Sequence, residues 1–354
     1  MRDQRYVSRV KNQYGGIKEM KIAAYEVRPD EKPIIEGLCK EYGIELVSTP
    51  ANLDASTVDM AEGCDGVTML GQSDLSDPII DKLADYGCKV LAARCVGFDH
   101  MNRHYARSKG MHVCHGSYAA NGVAEYTVMA ILMCIRNYKK AQANTDDNDF
   151  TLKGKMGREL RSLTVGVMGT GKIGRTVIQL LSSFGCRILA YDVYQNEEVK
   201  KYATYVDLDT VLSESDVITL HMPLLEDTKG IINKENVRKM KDGVVLINNA
   251  RGELCDVDAL IEGVETEKIG ALFMDAFPGE VGIIHIGHDA DIIRTAGMPY
   301  FKLKYLRSFV NVYHTPHMAF FTQEAGESMA RCGVDAIYEL MTKGETQHEV
   351  PKNI

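Results

Sequence analysis

The chain has 354 residues, 45% apolar and 25% charged, which suffices for two domains with sizeable cores and fits an ordinary soluble globular class. A net charge of −8 argues against nucleic acid or an anionic membrane as the main partner, because either selects a basic face. Nine cysteines, an odd count without a CxxC pair, point to buried thiols and a reducing compartment, hence the cytoplasm.

Residues 1–19 are basic and polar without an apolar stretch, so the sequence predicts a disordered extension there, or a native start at Met20. From Met20 to about His115, strand-like stretches (KIAAYEV, IELVS, GVTML, KVLAAR, MHVCH) alternate with helical segments such as Lys32 to Tyr42 and Asp77 to Tyr86. That alternation implies a parallel sheet covered on both faces. His112-Val113-Cys114-His115 would place its three potential ligands on alternating faces of one strand, so it reads as structural and no metal is expected. A long helix follows from Asn121, apolar nearly all round in its middle, and reads as a buried connector. Its longest apolar run, Val128 to Ile135, is far short of the roughly 20 residues of a membrane span. No membrane partner is expected.

The most informative stretch is Leu163 to Asp192. An apolar strand, Val165 to Met168, meets Gly169-Thr170-Gly171-Lys172-Ile173-Gly174, then a helix-period segment, then a second strand closing on Asp192. A glycine turn between strand and helix with an acid about 20 positions on is what a dinucleotide fold requires. Gly169 allows the turn, Gly171 lets backbone approach a pyrophosphate, and Gly174 lets helix and sheet pack closely; the helix N-terminus favours an anion. Asp192 suits a ribose diol and repels a 2'-phosphate, which favours NAD over NADP. From that second strand on, six strand-like stretches run in turn (ILAYD, ATYV, VITLH, GVVLINN, IGALFMDA, FVNVYHT), and Thr322 to Lys343 is helical by pattern. That last helix is expected to cross back to the first unit, leaving a cleft between two domains.

Arg251, Glu280 and His317 each follow a strand of the second unit, where open α/β sheets place ligands. Together with ARCVGFDHMN, NGVAEYTVMAILMCIRN, GRELRSLTVGVMGTGKIG, LHMPLLEDTKGIIN, NNARGELCD, MDAFPGEVG and HTPHMAFFT, they make the chain from Met20 on resemble the NAD-dependent D-2-hydroxyacid dehydrogenases, in particular the D-lactate dehydrogenase branch. The resemblance implies an α/β fold of two doubly wound parallel-sheet domains. A Rossmann NAD-binding domain (118–317) is inserted in a flavodoxin-like substrate domain (20–117 and 318–354). It implies reversible hydride transfer between NADH and a small 2-oxo acid, pyruvate to D-lactate first and a branched or aromatic acid second, and a homodimer through the nucleotide domain.

The same resemblance assigns His317 as acid and base, Glu280 as its partner, and Arg251 as the clamp on the substrate carboxylate. Chemistry agrees: negative charge grows on the carbonyl oxygen during reduction, and a carboxylate beside an imidazole favours the protonated ring. Val96 and Gly97 are expected to offer backbone N–H groups to the substrate carboxylate, with Tyr118 near it. Lys172 and Ile173 belong to the pyrophosphate turn, and Met222, Pro223 and Thr228 to the adenine and ribose side. Asn249, Ala250 and Asp275 fall near the nicotinamide, Asp275 as acceptor for its carboxamide. Departures are Leu70, where lactate-type members often carry a pocket tyrosine, His314 in a usually apolar place, and the absence of the prolines that flank the tyrosine matching Tyr118. Phe320 and Phe321 are expected to form an apolar wall. A non-catalytic NAD(H)-sensing protein is the alternative from another class. A phosphoglycerate enzyme would need a basic cluster, for which only Arg94 and Arg103 stand nearby. A formate dehydrogenase would have Gln at Glu280.

Overall fold

A computed structural model describes residues 9–11, 17–98, 100–280 and 289–351. The chain forms two compact units, one reaching to Ala119 and resuming at Phe321, the other Ala120–Phe320. Tyr118 and Ala119 thus group with the first unit, and Met318 to Phe320 with the second. Of residues 1–19, expected to be a disordered extension, 9–11 and 17–19 are described. There β1 (Arg9–Lys11) pairs antiparallel with β2 (Ile17–Glu19), in keeping with the β-branched Val10 and Ile17. The rest of that segment lies outside the described residues.

The first unit holds a five-stranded parallel sheet of β3 (Lys21–Ala24), β4 (Glu45–Ser48), β5 (Gly66–Met69), β6 (Val90–Ala93) and β7 (His112–His115), in the order β4-β3-β5-β6-β7. This is the flavodoxin-like order. Side chains alternate between faces along each strand. Ala23, Val67, Met69, Leu91 and Val113 meet the helix Asp77–Asp85, while Ile22, Ala24, Val90 and Ala92 meet the helices Lys32–Tyr42 and Gln323–Lys343. The last helix therefore covers the first unit's sheet. It comes close because Gly333 and Gly66 carry no side chain: a Cβ would stand 2.4 Å from Thr68 Oγ1 and 2.6 Å from Ile337 Cγ2 respectively. After it, the chain runs antiparallel along β7, with Val350 N–H on Val113 O (2.9 Å) and His115 N–H on His348 O (3.0 Å). That edge is thereby closed.

The second unit holds seven parallel strands: β8 (Thr164–Met168), β9 (Arg187–Tyr191), β10 (Thr204–Tyr205), β11 (Val217–Leu220), β12 (Val244–Asn248), β13 (Ile269–Met274) and β14 (Val312–His314). Their order is β10-β9-β8-β11-β12-β13-β14, the Rossmann arrangement with one added strand. The helices Asn121–Ile135 and Lys172–Ser182 bury Ala124, Ile131, Val177 and Leu181 against Val165, Ile188, Val245 and Phe273. The opposite face carries Ile218, Leu246, Leu272 and Val312 under Leu212, Leu260, Leu303 and Leu306. Among the described residues no helix is long and apolar enough to cross a membrane.

Candidate active site

At the carboxyl end of β8 the chain turns through Gly169 at φ 94°, where a Cβ would lie 2.6 Å from the His221 carbonyl carbon. A Cβ on Gly174 would lie 1.9 Å from Gly169 O, so turn and helix touch backbone to backbone. Around Gly171 there is nothing within 4 Å of the Cβ position, and Lys172 and Ile173 open the helix immediately after it. An open backbone turn at the positive end of a helix fits a pyrophosphate.

Asp192, just past β9, is aimed back over this turn. Its Oδ2 accepts the Thr170 N–H at 2.6 Å and the Thr170 hydroxyl at 3.0 Å, and Oδ1 accepts the Tyr194 N–H at 2.9 Å. The Thr170 hydroxyl also meets Tyr205 OH at 2.8 Å. Beyond β11, burial holds the His221 imidazole neutral, its pKa pushed down to about 3, with Thr219 Oγ1 at 3.0 Å. Met222 is buried and Pro223 exposed. The Thr228 hydroxyl closes its own loop, donating to Pro223 O (2.7 Å) and accepting the Leu225 N–H (2.8 Å).

Arg251, Glu280 and His317 follow the ends of the neighbouring strands β12, β13 and β14. Arg251 lies in extended backbone ahead of the turn Gly252–Leu254, and its Nη1 donates to Ala250 O at 3.0 Å. The side-chain-free Gly252 admits the Phe277 backbone, 2.1 Å from where a Cβ would stand. Glu280 is fixed by the Phe277 N–H on Oε2 (3.0 Å), which leaves Oε1 for His317 Nδ1 at 2.6 Å. Burial pulls the imidazole toward its neutral form. The hydrogen bond and charge of Glu280, with a smaller contribution from Asp275, outweigh burial and the opposing charge of Arg251, so the pKa of His317 is raised above its ordinary value. With Nδ1 committed to Glu280, Nε2 is the nitrogen left for chemistry.

His317 has φ 52°, a left-handed conformation uncommon outside glycine. Asp275 holds it there. Its backbone O accepts the His317 N–H (3.0 Å), Oδ1 accepts the Thr315 hydroxyl (2.6 Å) and Met318 N–H (2.9 Å), and Oδ2 accepts the Ala319 N–H (2.8 Å). The Asp275 carboxylate, expected to face a nicotinamide, is 1% exposed, and both its oxygens accept hydrogen bonds from the loop that carries the histidine. Phe320 stands edge-on to the His317 ring with centroids 6.3 Å apart. His314, at the end of β14, is kept neutral by burial, its pKa lowered to about 4.

Asn249 packs against the helix Asn121–Ile135, where its Nδ2 donates to Thr127 Oγ1 at 3.1 Å; Ala250 N–H donates to Asn248 Oδ1 at 3.1 Å. Thr127, Thr170 and Thr315 were not predicted from the sequence. Their only local sign is a hydroxyl placed in an otherwise apolar or glycine-rich setting.

In the first unit, Val96 and Gly97 follow β6, and Val96 is exposed. Among the described residues neither N–H has a hydrogen-bond partner, while the Cys95 thiol donates to Gly97 O at 3.0 Å. Tyr118 and Leu70 are half-buried. The Arg28 guanidinium lies over the Phe321 ring, 5.2 Å from its centroid. Arg94 is fully buried on Glu31 (3.4 Å) and Tyr25 O (2.8 Å), and Arg103 stacks on Phe98 (4.9 Å). Arg94 is therefore unavailable to a substrate phosphate.

Residues 128–319 match the family model described as D-isomer specific 2-hydroxyacid dehydrogenase, NAD binding domain. Across 332 residues, 93% of this chain and 99% of the relative, the chain is 38% identical to an aromatic 2-oxoacid reductase of Clostridium sporogenes. It is 33% identical to the D-lactate dehydrogenase of Lactiplantibacillus plantarum, over 94% of this chain and 99% of that one. The NAD-complexed D-isomer specific 2-hydroxyacid dehydrogenase of Lactobacillus delbrueckii ssp. bulgaricus superposes with a TM-score of 0.78 at 34% identity, covering 94% of this chain and all of the other. A Rossmann sheet with an open glycine turn, and an Arg/Glu/His set at its strand ends, define an NAD-dependent oxidoreductase. The chain belongs to the D-isomer specific 2-hydroxyacid dehydrogenase family. The sensing alternative is thereby set aside.

Proposed function

We propose that this protein reduces 2-oxo acids bearing an aromatic or branched side chain to the D-2-hydroxy acids, with His317 as proton donor. The observation that carries the chemistry is the 2.6 Å hydrogen bond between His317 Nδ1 and Glu280 Oε1. Gly169, Gly171, Lys172, Ile173 and Gly174 would hold the pyrophosphate of NAD, Asp192 the adenosine ribose, and Met222, Pro223 and Thr228 the adenine side. Bound as NADH, the cofactor supplies the hydride. Arg251 holds the oxo-acid carboxylate in its planar fork and polarises the oxo group. His317 gives its Nε2 proton to the carbonyl oxygen as charge grows there, and takes it back in the reverse direction. Glu280 raises the pKa of the imidazole and so favours its protonated form. The N–H groups of Val96 and Gly97, without a partner among the described residues, and Tyr118 are the first unit's candidates for substrate binding.

The preference for a large side chain is supported by Leu70, a smaller residue without a hydroxyl where lactate-type members often carry tyrosine, and by the aromatic 2-oxoacid reductase relative. Pyruvate is the second reading, supported by the D-lactate dehydrogenase relative. Loss of NADH absorbance across phenylpyruvate, 4-methyl-2-oxopentanoate and pyruvate tests the preference. Phenylpyruvate is expected to exceed pyruvate by at least about tenfold in kcat/KM, the scale on which an apolar pocket discriminates. A higher value for pyruvate would reverse the assignment. The protein is further proposed to act in the cytoplasm as a homodimer through its nucleotide-binding unit.

A further inference from the structure

Cys332, Asp335 and Glu339 follow one another at helical spacing on the helix Gln323–Lys343, which puts a thiol and two carboxylates on one face. The chain after that helix brings His348 back to them. Its backbone is held from both sides, with His348 O accepting the His115 N–H at 3.0 Å and the His348 N–H donating to Thr346 Oγ1 at 3.3 Å. Thr346 in turn donates its hydroxyl to Glu339 Oε2 at 2.8 Å. The imidazole, 8% exposed, hydrogen-bonds the Cys332 sulfur. The sulfur's other neighbour is Ser117, with its carbonyl O at 3.5 Å and its hydroxyl at 3.8 Å. Hydride transfer uses none of these groups.

Thiol and imidazole set each other's charge. Burial alone would raise the Cys332 pKa, but the hydrogen bond and charge of His348, with the bonds from Ser117, outweigh it and lower it. The His348 pKa is raised by its hydrogen bond to the sulfur, against burial, and further by the charges of Cys332, Glu339 and Asp335. Burial pushes the thiols of Cys39, Cys88, Cys114, Cys134, Cys186 and Cys255 the opposite way. The thiolate is the nucleophilic form, so reactivity concentrates at Cys332. At 6% exposure its side chain suits a small, uncharged oxidant. We infer that Cys332 is a modification site for hydroperoxides, with His348 holding the sulfur as thiolate and supplying a proton. The sulfur attacks one oxygen of hydrogen peroxide, the S–O bond forms as the O–O bond breaks, and the departing hydroxide takes the His348 proton. Cys332 is thereby oxidised to a sulfenic acid and the peroxide reduced to water.

The reduced full chain is exposed to hydrogen peroxide at neutral pH, quenched with catalase, denatured in iodoacetamide and mapped by peptide mass, so that each oxidised thiol shows as lost alkylation. Cys332 is expected to react about tenfold or more faster than Cys95 and Cys186, the two more exposed thiols, because the gain in thiolate exceeds the loss in nucleophilicity. Dimedone in the quench is expected to add at Cys332, the mark of a sulfenic acid. His348→Gln keeps a hydrogen-bonding side chain without the charge, and is expected to slow Cys332 about tenfold. Buried Cys134 and Cys255, unreacted, show that the variant is folded. Faster oxidation of Cys95 or Cys186, or undiminished oxidation of Cys332 in folded His348→Gln, would overturn the assignment. If that variant does not fold, the ranking of thiols in the unaltered protein decides alone.

Discussion

The proton donor owes its properties to what surrounds one imidazole. Burial alone would leave His317 neutral, but Glu280 Oε1 at 2.6 Å reverses the sign, and the Phe277 N–H fixes the other carboxylate oxygen so that this geometry persists. Because the folded-state pKa is raised, reduction should be sustained at low and neutral pH and fall as pH rises through that value. In Glu280→Gln the raising influence is lost and burial with Arg251 remains, so the falling limb of kcat/KM is expected to move to lower pH by about one unit or more. A pH–rate profile of both proteins checks this; coincident limbs would show that Glu280 does not set the titration. The three residues themselves were legible in the sequence because each closes a strand-like stretch before a turn. Their supporting bonds were not, since Asn249 meets Thr127 across 122 positions and Asp275 clamps a loop about 40 positions on. Asp275 illustrates the difference. An acid at a strand end reads equally as ligand acceptor or as cap, and the capping bonds from the Met318 and Ala319 N–H groups have no sign in the local pattern.

At the scale of elements, the strand-turn-helix unit from β8 was the most readable part, because glycine spacing, strand and helix period all lie within one short stretch. Its tightest contact gives a direct test. Gly174→Ala must push the helix Lys172–Ser182 away from Gly169 O, which an added Cβ would approach to 1.9 Å. A loss of about 1–3 kcal/mol, the usual cost of overpacking, is expected with a lower thermal midpoint and weaker NADH binding. Unaltered melting and affinity would mean that the helix end yields without strain. The chain after Lys343 was less readable. Its pairing along β7 depends on an exposed sheet edge that no local pattern announces, and the antiparallel ladder of β1 and β2 arises in a stretch whose charge reads as disorder.

For the molecule as a whole, the alternation of strands and helices was enough to specify two parallel α/β sheets, while the strand orders differ between the two units and are not announced by that alternation. What the second unit leaves uncovered bears on assembly. Phe150, Leu152 and Met156 are 73%, 87% and 92% exposed, with Tyr138 and Phe184 also exposed on the same unit. Apolar side chains left this open mark interaction surfaces, and a second copy is the occupant that the homodimer proposal names. Sedimentation equilibrium is expected to give twice the 39.3 kDa chain mass, and Leu152→Asp with Met156→Asp to shift the protein toward monomer. A monomeric unaltered protein would refute that assembly. The central claim is that this chain transfers hydride from NADH to a 2-oxo acid with His317 supplying the proton, and one measurement addresses it most directly: NADH consumed against phenylpyruvate, with chiral analysis of the product, for the unaltered protein and His317→Ala. One D-phenyllactate per NADH, at a rate about 100-fold or more lower in the variant, is the expected result. An L product, or undiminished turnover without the imidazole, would contradict it.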